Sequence, residues 1–159
     1  MIFNSFTSSN SKYEKKKLVY EEVVRLNPNL FEAYISALYK EYGYNTQLTS
    51  FSHDNGADVV AIKTSQSFLI QVKQSSSSVG IQAIQEITTA KNYYDSIYHE
   101  DFICLVISNN NYTESAEDMA KINKVTLIND NNLREMIIKS NISIYEVEQE
   151  ESQRLKKQR

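Results

Sequence analysis

A chain of 159 residues, 41% hydrophobic and 23% charged, suits one soluble globular domain with a core of its own. Its net charge of −3 does not favour a nucleic-acid binder, and no apolar run approaches the length of a membrane span. The opening M-I-F-N-S-F-T-S-S-N lacks the basic start and apolar block of a signal peptide, and the single cysteine, Cys104, excludes a disulfide within the chain; a cytoplasmic location is the expectation that follows.

The charge is unevenly spread. Residues 1–27 hold five basic and three acidic side chains, residues 28–141 eight and thirteen, and residues 142–159 four of each. This divides the chain into an N-terminal helical extension (1–27), an acidic central domain (28–141) and a charged C-terminal tail (142–159). A DNA-cutting domain usually carries a basic face. Carboxylates that ligate a metal ion would account for part of the acidic excess.

Ser11 stands as a cap for a helix over 11–26, with Tyr13, Lys17, Tyr20 and Val24 along one side. Lys12, Lys15 and Lys16 fall on another face, which suits a phosphate backbone or plain solvent. Asn27 followed by Pro28 is a helix-start signal, and Leu30, Tyr34, Ala37, Leu38 and Glu41 keep the helical period as far as Gly43. Glu32 lies in the first turn of this helix, where the macrodipole favours a carboxylate. Residues 44–49 read as a strand, and Asp54, Asn55 and Gly56 as a turn in which Asp54 is a candidate second acid. His53 and His99 are too far apart for a zinc-type spacing.

Two apolar runs follow, Val59 to Ile62 in sequence and then Phe68, Leu69 and Ile70, separated by Thr64, Ser65 and Gln66. They predict a hairpin. Asp58 leads its first strand, and Gln71 and Lys73 end its second, on one face because strand side chains alternate. An acid, a neutral oxygen donor and a lysine thus converge at one end of the hairpin. A hard cation such as Mg2+ takes oxygen ligands, so Asp58 and Gln71 suit a metal-dependent phosphodiesterase. Lys73 would hold the attacking water or the charge that builds on the phosphate. The same residues also suit a solvated hairpin with a turn acid and an edge lysine, since D-x(n)-Q-x-K is a loose pattern.

Ser75, Ser76 and Ser77 form a loop at the mouth of this site, suited to a phosphate backbone or to a plain linker. A helix over 81–94 turns Ile84, Ile87 and Ala90 inward and carries Gln82, Gln85, Glu86 and Thr89 on its other faces; Gln85 could reach a phosphate in the site. Residues 102–108 read as a strand buried on both faces, with Cys104 inside it as a core thiol. Thr113 caps a helix over 113–122, residues 125–128 form another short strand, and Asp130 or Asn131 caps a last helix over 133–139. The stretch I-S-I-Y-E-V reads as a short edge strand, and the charged end as a frayed helix or disorder. The expected fold class is α/β, a central mixed sheet of about five strands flanked by helices on both faces. Three unclustered glycines provide no phosphate-cradling loop, which counts against a doubly wound nucleotide binder.

Residues 30–138 resemble the Mrr-type restriction endonucleases, a branch of the PD-(D/E)XK nuclease superfamily. The resemblance runs through F-E-A-Y-I-S-A-L-Y-K-E-Y-G-Y, H-D-N-G-A-D-V-V, F-L-I-Q-V-K, V-G-I-Q-A-I-Q-E-I, L-V-I-S-N-N-N-Y-T-E-S-A and V-T-L-I-N-D-N-N-L. It implies a restriction-endonuclease-like core over 28–141 and a metal-dependent DNA endonuclease. The motif acid falls on Asp58, the (E/Q)-x-K on Gln71, Val72 and Lys73, and the helix glutamate on Glu32. Asp58, Gln71 and Glu32 would then hold Mg2+ or Mn2+, with DNA as the partner and no small-molecule cofactor. A homodimer would supply the two active sites of a double-strand cut. Glutamine at 71 matches the Mrr-like branch but takes one negative charge from the site. That loss and the acidic domain leave a second reading, a catalytically weak or inactive DNA- or protein-binding module on the same fold.

Overall fold

The computed structural model of the protein describes residues 15–50 and 55–157. The expectations that rest on Ser11, Lys12, Tyr13, His53 and Asp54 lie outside the described residues. Five strands form one mixed sheet in the order β1 (Asn45–Leu48), β2 (Val59–Ile62), β3 (Phe68–Lys73), β4 (Ile103–Ser108) and β5 (Thr126–Ile128). β1, β2 and β3 run antiparallel to their neighbours, and β3, β4 and β5 run parallel. The expected sheet of five strands is therefore the observed one.

The short runs VVAI and ICLVIS are apolar at successive positions because both faces of the sheet are covered. Alternation sends Val59, Ala61, Ile70 and Val72 to one face, against Phe31, Ile35 and Leu38 of α2 (Pro28–Glu41). Val60, Leu69 and Val106 point to the other face, against Ile84 and Ile87 of α3 (Ile81–Tyr98) and Ala116 of α4 (Glu114–Asn123). Phe31, Ile35 and Leu38 are fully buried, and each contributes on the order of 1.5–3 kcal/mol by that burial. Cys104 sits in the second core, where burial pushes its thiol up to about 11 and keeps it from acting as a nucleophile.

Local chemistry sets the helix ends. The Asn27 side chain accepts from the Leu30 N–H at 3.0 Å and Pro28 opens α2, as the sequence predicts. Thr113 caps α4 in the same way. α3 runs four residues beyond its expected end. Tyr94 stacks on Tyr98, Tyr98 meets Phe102 edge-on, and the Asp95 carboxylate accepts from the Phe102 N–H, so the extra turn is held against the start of β4.

Three expectations are corrected. The N-terminal helix over 11–26 reduces, within the described residues, to α1 (Tyr20–Val23). The Leu18 N–H bonds instead to the Ile142 carbonyl, and Lys17 bridges Ser143, which draws this stretch out straight along the start of the C-terminal segment. Lys15 and Lys16 form no common patch, because they pair with Glu146 and Glu22. α5 (Asp130–Lys139) starts three residues earlier than expected, and its cap is Asn129, which accepts from the Asn132 N–H. The predicted edge strand and frayed tail are a single helix, α6 (Ile144–Lys157). Glu146 reaches back to the N–H and hydroxyl of Ser143 at its start, and Val147, Glu150 and Arg154 are buried. Val147 joins the α2 core cluster, so this segment is packed against the domain. Among the described residues no helix is long and apolar enough to cross a membrane.

Candidate active site

The site forms where the β2–β3 ladder ends. The last paired residues are Val59 and Ile70. Just before them, the Asp58 N–H donates to the Ile70 carbonyl at 2.8 Å, and the Asp58 carbonyl accepts from the Thr49 N–H at 2.9 Å. Asp58 is thereby held between β1 and β3. Its Oδ2 accepts from the Val72 N–H at 2.6 Å, taking the place of the backbone carbonyl that a longer ladder would supply. The carboxylate is 92% buried by this arrangement, on the short side of the Gln71–Val72–Lys73 backbone.

Gln71 and Lys73 share a face of β3, as alternation requires, and both reach one atom. Glu86 Oε2 on α3 accepts from Gln71 Nε2 at 2.6 Å and from Lys73 Nζ at 2.7 Å. Glu86 Oε1 accepts from Gln82 Nε2, one helical turn earlier, at 2.9 Å. Burial pushes the Glu86 carboxyl up, but the bonds from Lys73, Gln71 and Gln82 outweigh it and hold the group below the ordinary carboxylate range. Gln71 itself is 2% exposed. Its Oε1 is buried and has no hydrogen-bond partner among the described residues.

Gly56 brings α3 close. Its φ is +88°, and a Cβ there would stand 2.5 Å from the Glu86 carbonyl oxygen, so only glycine lets the loop before Asp58 lie on the helix backbone. On the outer side of Glu86 lies a cleft of about 500 Å³ bordered by Asn55, Gln85, Thr89 and Tyr93. A smaller hollow of about 250 Å³ adjoins it at Gln82 and is bordered by Lys73, Ser75 and Gly80. Ser75 is fixed by its N–H to Asn109 Oδ1 at 2.7 Å and by its hydroxyl to the Ser77 carbonyl at 2.6 Å, while Ser76 and Ser77 are exposed.

Of the residues singled out in the sequence, Asp58, Gln71 and Lys73 come together at the strand ends, and Ser75, Ser76, Ser77 and Gln85 border the same opening. Glu32 on α2 is placed by another contact: Arg154 Nη1 meets its Oε2 at 2.5 Å, and Arg154 also binds Glu151 and the Asn29 carbonyl. Glu86 was assigned to an outer face and is instead the residue that joins the others. The signal for it is in the sequence: it is the single acid between residues 81 and 94, on a helix that must cross the ends of β3.

No three carboxylates, histidines or cysteines gather to hold an ion among the described residues. The donors that do fit a hard cation are the Asp58 carboxylate and the orphaned Gln71 Oε1, both oxygen. Two protein oxygens are a sufficient set for Mg2+, which keeps several waters and takes further oxygens from substrate phosphates.

A mixed five-stranded sheet, with an acid before its second strand and Q-x-K at the end of its third, defines a restriction-endonuclease-like domain. The family model of the Mrr-type restriction endonuclease catalytic domain matches residues 23–137, and the chain belongs to that family. No curated protein matches it. Among solved structures, it is similar to a protein of unknown function, AF1548, at 17% identity and a TM-score of 0.53, over 65% of this chain and 58% of that one. It is also similar to the DNA modification-dependent restriction endonuclease AspBHI, at 17% identity and a TM-score of 0.51, over 92% of this chain and 43% of that one. At such identities the likeness is one of fold, and the chain spans about three-fifths of the first structure and less than half of the second.

Proposed function

We propose that the protein is an endonuclease that hydrolyses DNA phosphodiester bonds with the aid of a divalent cation. The observation that carries this reading is the buried, unpartnered Gln71 Oε1, on the strand whose Val72 N–H holds the Asp58 carboxylate. A buried acceptor without a donor costs about 1–3 kcal/mol, a cost that a cation ligated there would offset. Asp58 and Gln71 are the residues that would hold Mg2+ or Mn2+. When bound, the ion supplies positive charge to the phosphate and acidifies a water.

The chain's own residues do the rest. The Asp58 carboxylate, fixed by Val72, presents a negative oxygen without needing to reorganise. Lys73 has three N–H donors and gives one to Glu86, so the others can orient a water or meet charge that builds on the phosphate. The backbone and hydroxyls around Ser75, Ser76 and Ser77, with Gln85 across the opening, suit the phosphates that flank the cut. Glu32 enters as a carboxylate already matched by Arg154, and it contributes local charge and the docking of α6. A homodimer belongs to the same reading, because one site cuts one strand.

The test is nicking of supercoiled plasmid in Mg2+ or Mn2+. The wild type nicks, and Lys73→Ala folds but does not. Equal nicking by the folded variant removes Lys73 from the mechanism. The ion pair that already occupies Lys73 favours a second reading, a DNA- or protein-binding module with little catalysis. In that case the wild type binds DNA without ion-dependent nicking.

A further inference from the structure

We propose that Glu86 is the positioning residue of this site: it fixes the Gln71 amide so that Oε1 is offered as an ion ligand, and it tethers Lys73 beside it. The proposal rests on the endonuclease reading. An amide has a donor end and an acceptor end of nearly the same size, so packing alone does not decide which end points where. The neighbour's chemistry decides it. Glu86 is held below the ordinary carboxylate range, and an ionised carboxylate only accepts. The end of Gln71 that meets Glu86 Oε2 at 2.6 Å is therefore the NH2 group. The oxygen is turned away from Glu86, into a place where it is buried and has no protein donor. Such a placement is poor for a structural amide and suited to a ligand.

The same Glu86 oxygen takes Lys73 Nζ at 2.7 Å, so one carboxylate sets both side chains of the Q-x-K sequence. It also places a full negative charge directly behind a neutral ligand. Gln71 and Glu86 together carry the charge that a single carboxylate at position 71 would carry. Two further contacts hold Glu86 in place. Gln82 binds its other oxygen at 2.9 Å, and Gly56 allows the loop before Asp58 to press on the Glu86 carbonyl.

Charge reversal across this pair separates positioning from a plain tie between α3 and β3. Ion binding to the full chain is measured by calorimetry with Mn2+ for the wild type, Glu86→Gln, Gln71→Glu and the double variant, with thermal melts in chelator for each. In Glu86→Gln the new amide can offer either end to Gln71, so the orientation is lost and affinity falls about 10- to 100-fold. Gln71→Glu sets two carboxylates against each other across the 2.6 Å contact, so its ion-free form melts lower than the wild type. The double variant restores one donor facing one carboxylate, with the charge now on the ligand, and binds Mn2+ at least as tightly as the wild type. A plain tie predicts instead that Glu86→Gln keeps its affinity and that the double variant is no better than the worse single one. Either of those results overturns the role of Glu86 and leaves the endonuclease reading standing. Absence of Mn2+ binding by the wild type overturns both. If Glu86→Gln does not fold, recovery of folding and affinity in the double variant supports the proposal, and failure to recover contradicts it.

Discussion

The Glu32 carboxylate on α2 receives the Arg154 guanidinium from α6 at 2.5 Å, across 122 residues of sequence. Arg154 is 3% exposed and binds Glu151 and the Asn29 carbonyl as well. The C-terminal helix is therefore fastened to the first turn of α2, next to the sheet face that α2 covers.

Removing one partner of so buried a pair leaves the other uncompensated. Arg154→Ala should cost about 3–5 kcal/mol of stability. Glu32→Gln should cost less, because its side chain keeps 20% exposure and the amide still accepts one bond. Chemical denaturation measures both. Ion titration of Glu32→Gln should match the wild type, since Glu32 is matched by Arg154; a clear loss of ion affinity would return Glu32 to the ligand set.

Gly56→Ala should harm the site from outside it. The residue sits at φ +88°, and its new methyl group would fall 2.5 Å from the Glu86 carbonyl oxygen. Relieving that clash moves the loop or α3, at a cost of about 1–3 kcal/mol for the backbone conformation alone. Both melting temperature and Mn2+ affinity should drop. A variant with wild-type affinity would show that the loop–helix contact does not set the site.

Acid sensitivity follows from Glu146. The bonds from Ser143 and Lys15 prevail over burial, which alone would raise it, and hold this carboxyl at about 2 against an ordinary 4.5. A depressed carboxylate stabilises the fold above its unfolded value, and that stabilisation is lost as pH falls through the folded one. Glu146→Gln should therefore melt below the wild type at pH 7. The gap should narrow from pH 4.5 downward and close near pH 2. A gap that is constant with pH would assign the effect to packing.

The parts of the fold that local chemistry decides were legible. Asn27 with Pro28, the alternating hairpin and the doubly buried run before Ser108 each admit one reading. α6 was misread because I-S-I-Y-E-V looks β-like by propensity, while Ser143 and Glu146 stand at the S-x-x-E spacing of a helix start. Tertiary burial of Val147 and Arg154 then decides for the helix. In the site, Asp58, Gln71 and Lys73 were legible because period-2 geometry and a strand end suffice to gather them. Glu86 was not, because its role depends on how α3 crosses β3, a matter of packing distance that no spacing within the helix encodes.

The most direct measurement is nicking of supercoiled plasmid by the wild type and Asp58→Asn, each with Mg2+ or Mn2+ and again with chelator. The asparagine oxygen can still accept from the Val72 N–H, so this variant removes the charge and keeps the strand-end contact. The account predicts nicking by the wild type only with the ion, and a rate lower by about 100-fold or more for the folded variant. Nicking that survives chelation, or that is unchanged in Asp58→Asn, would contradict it.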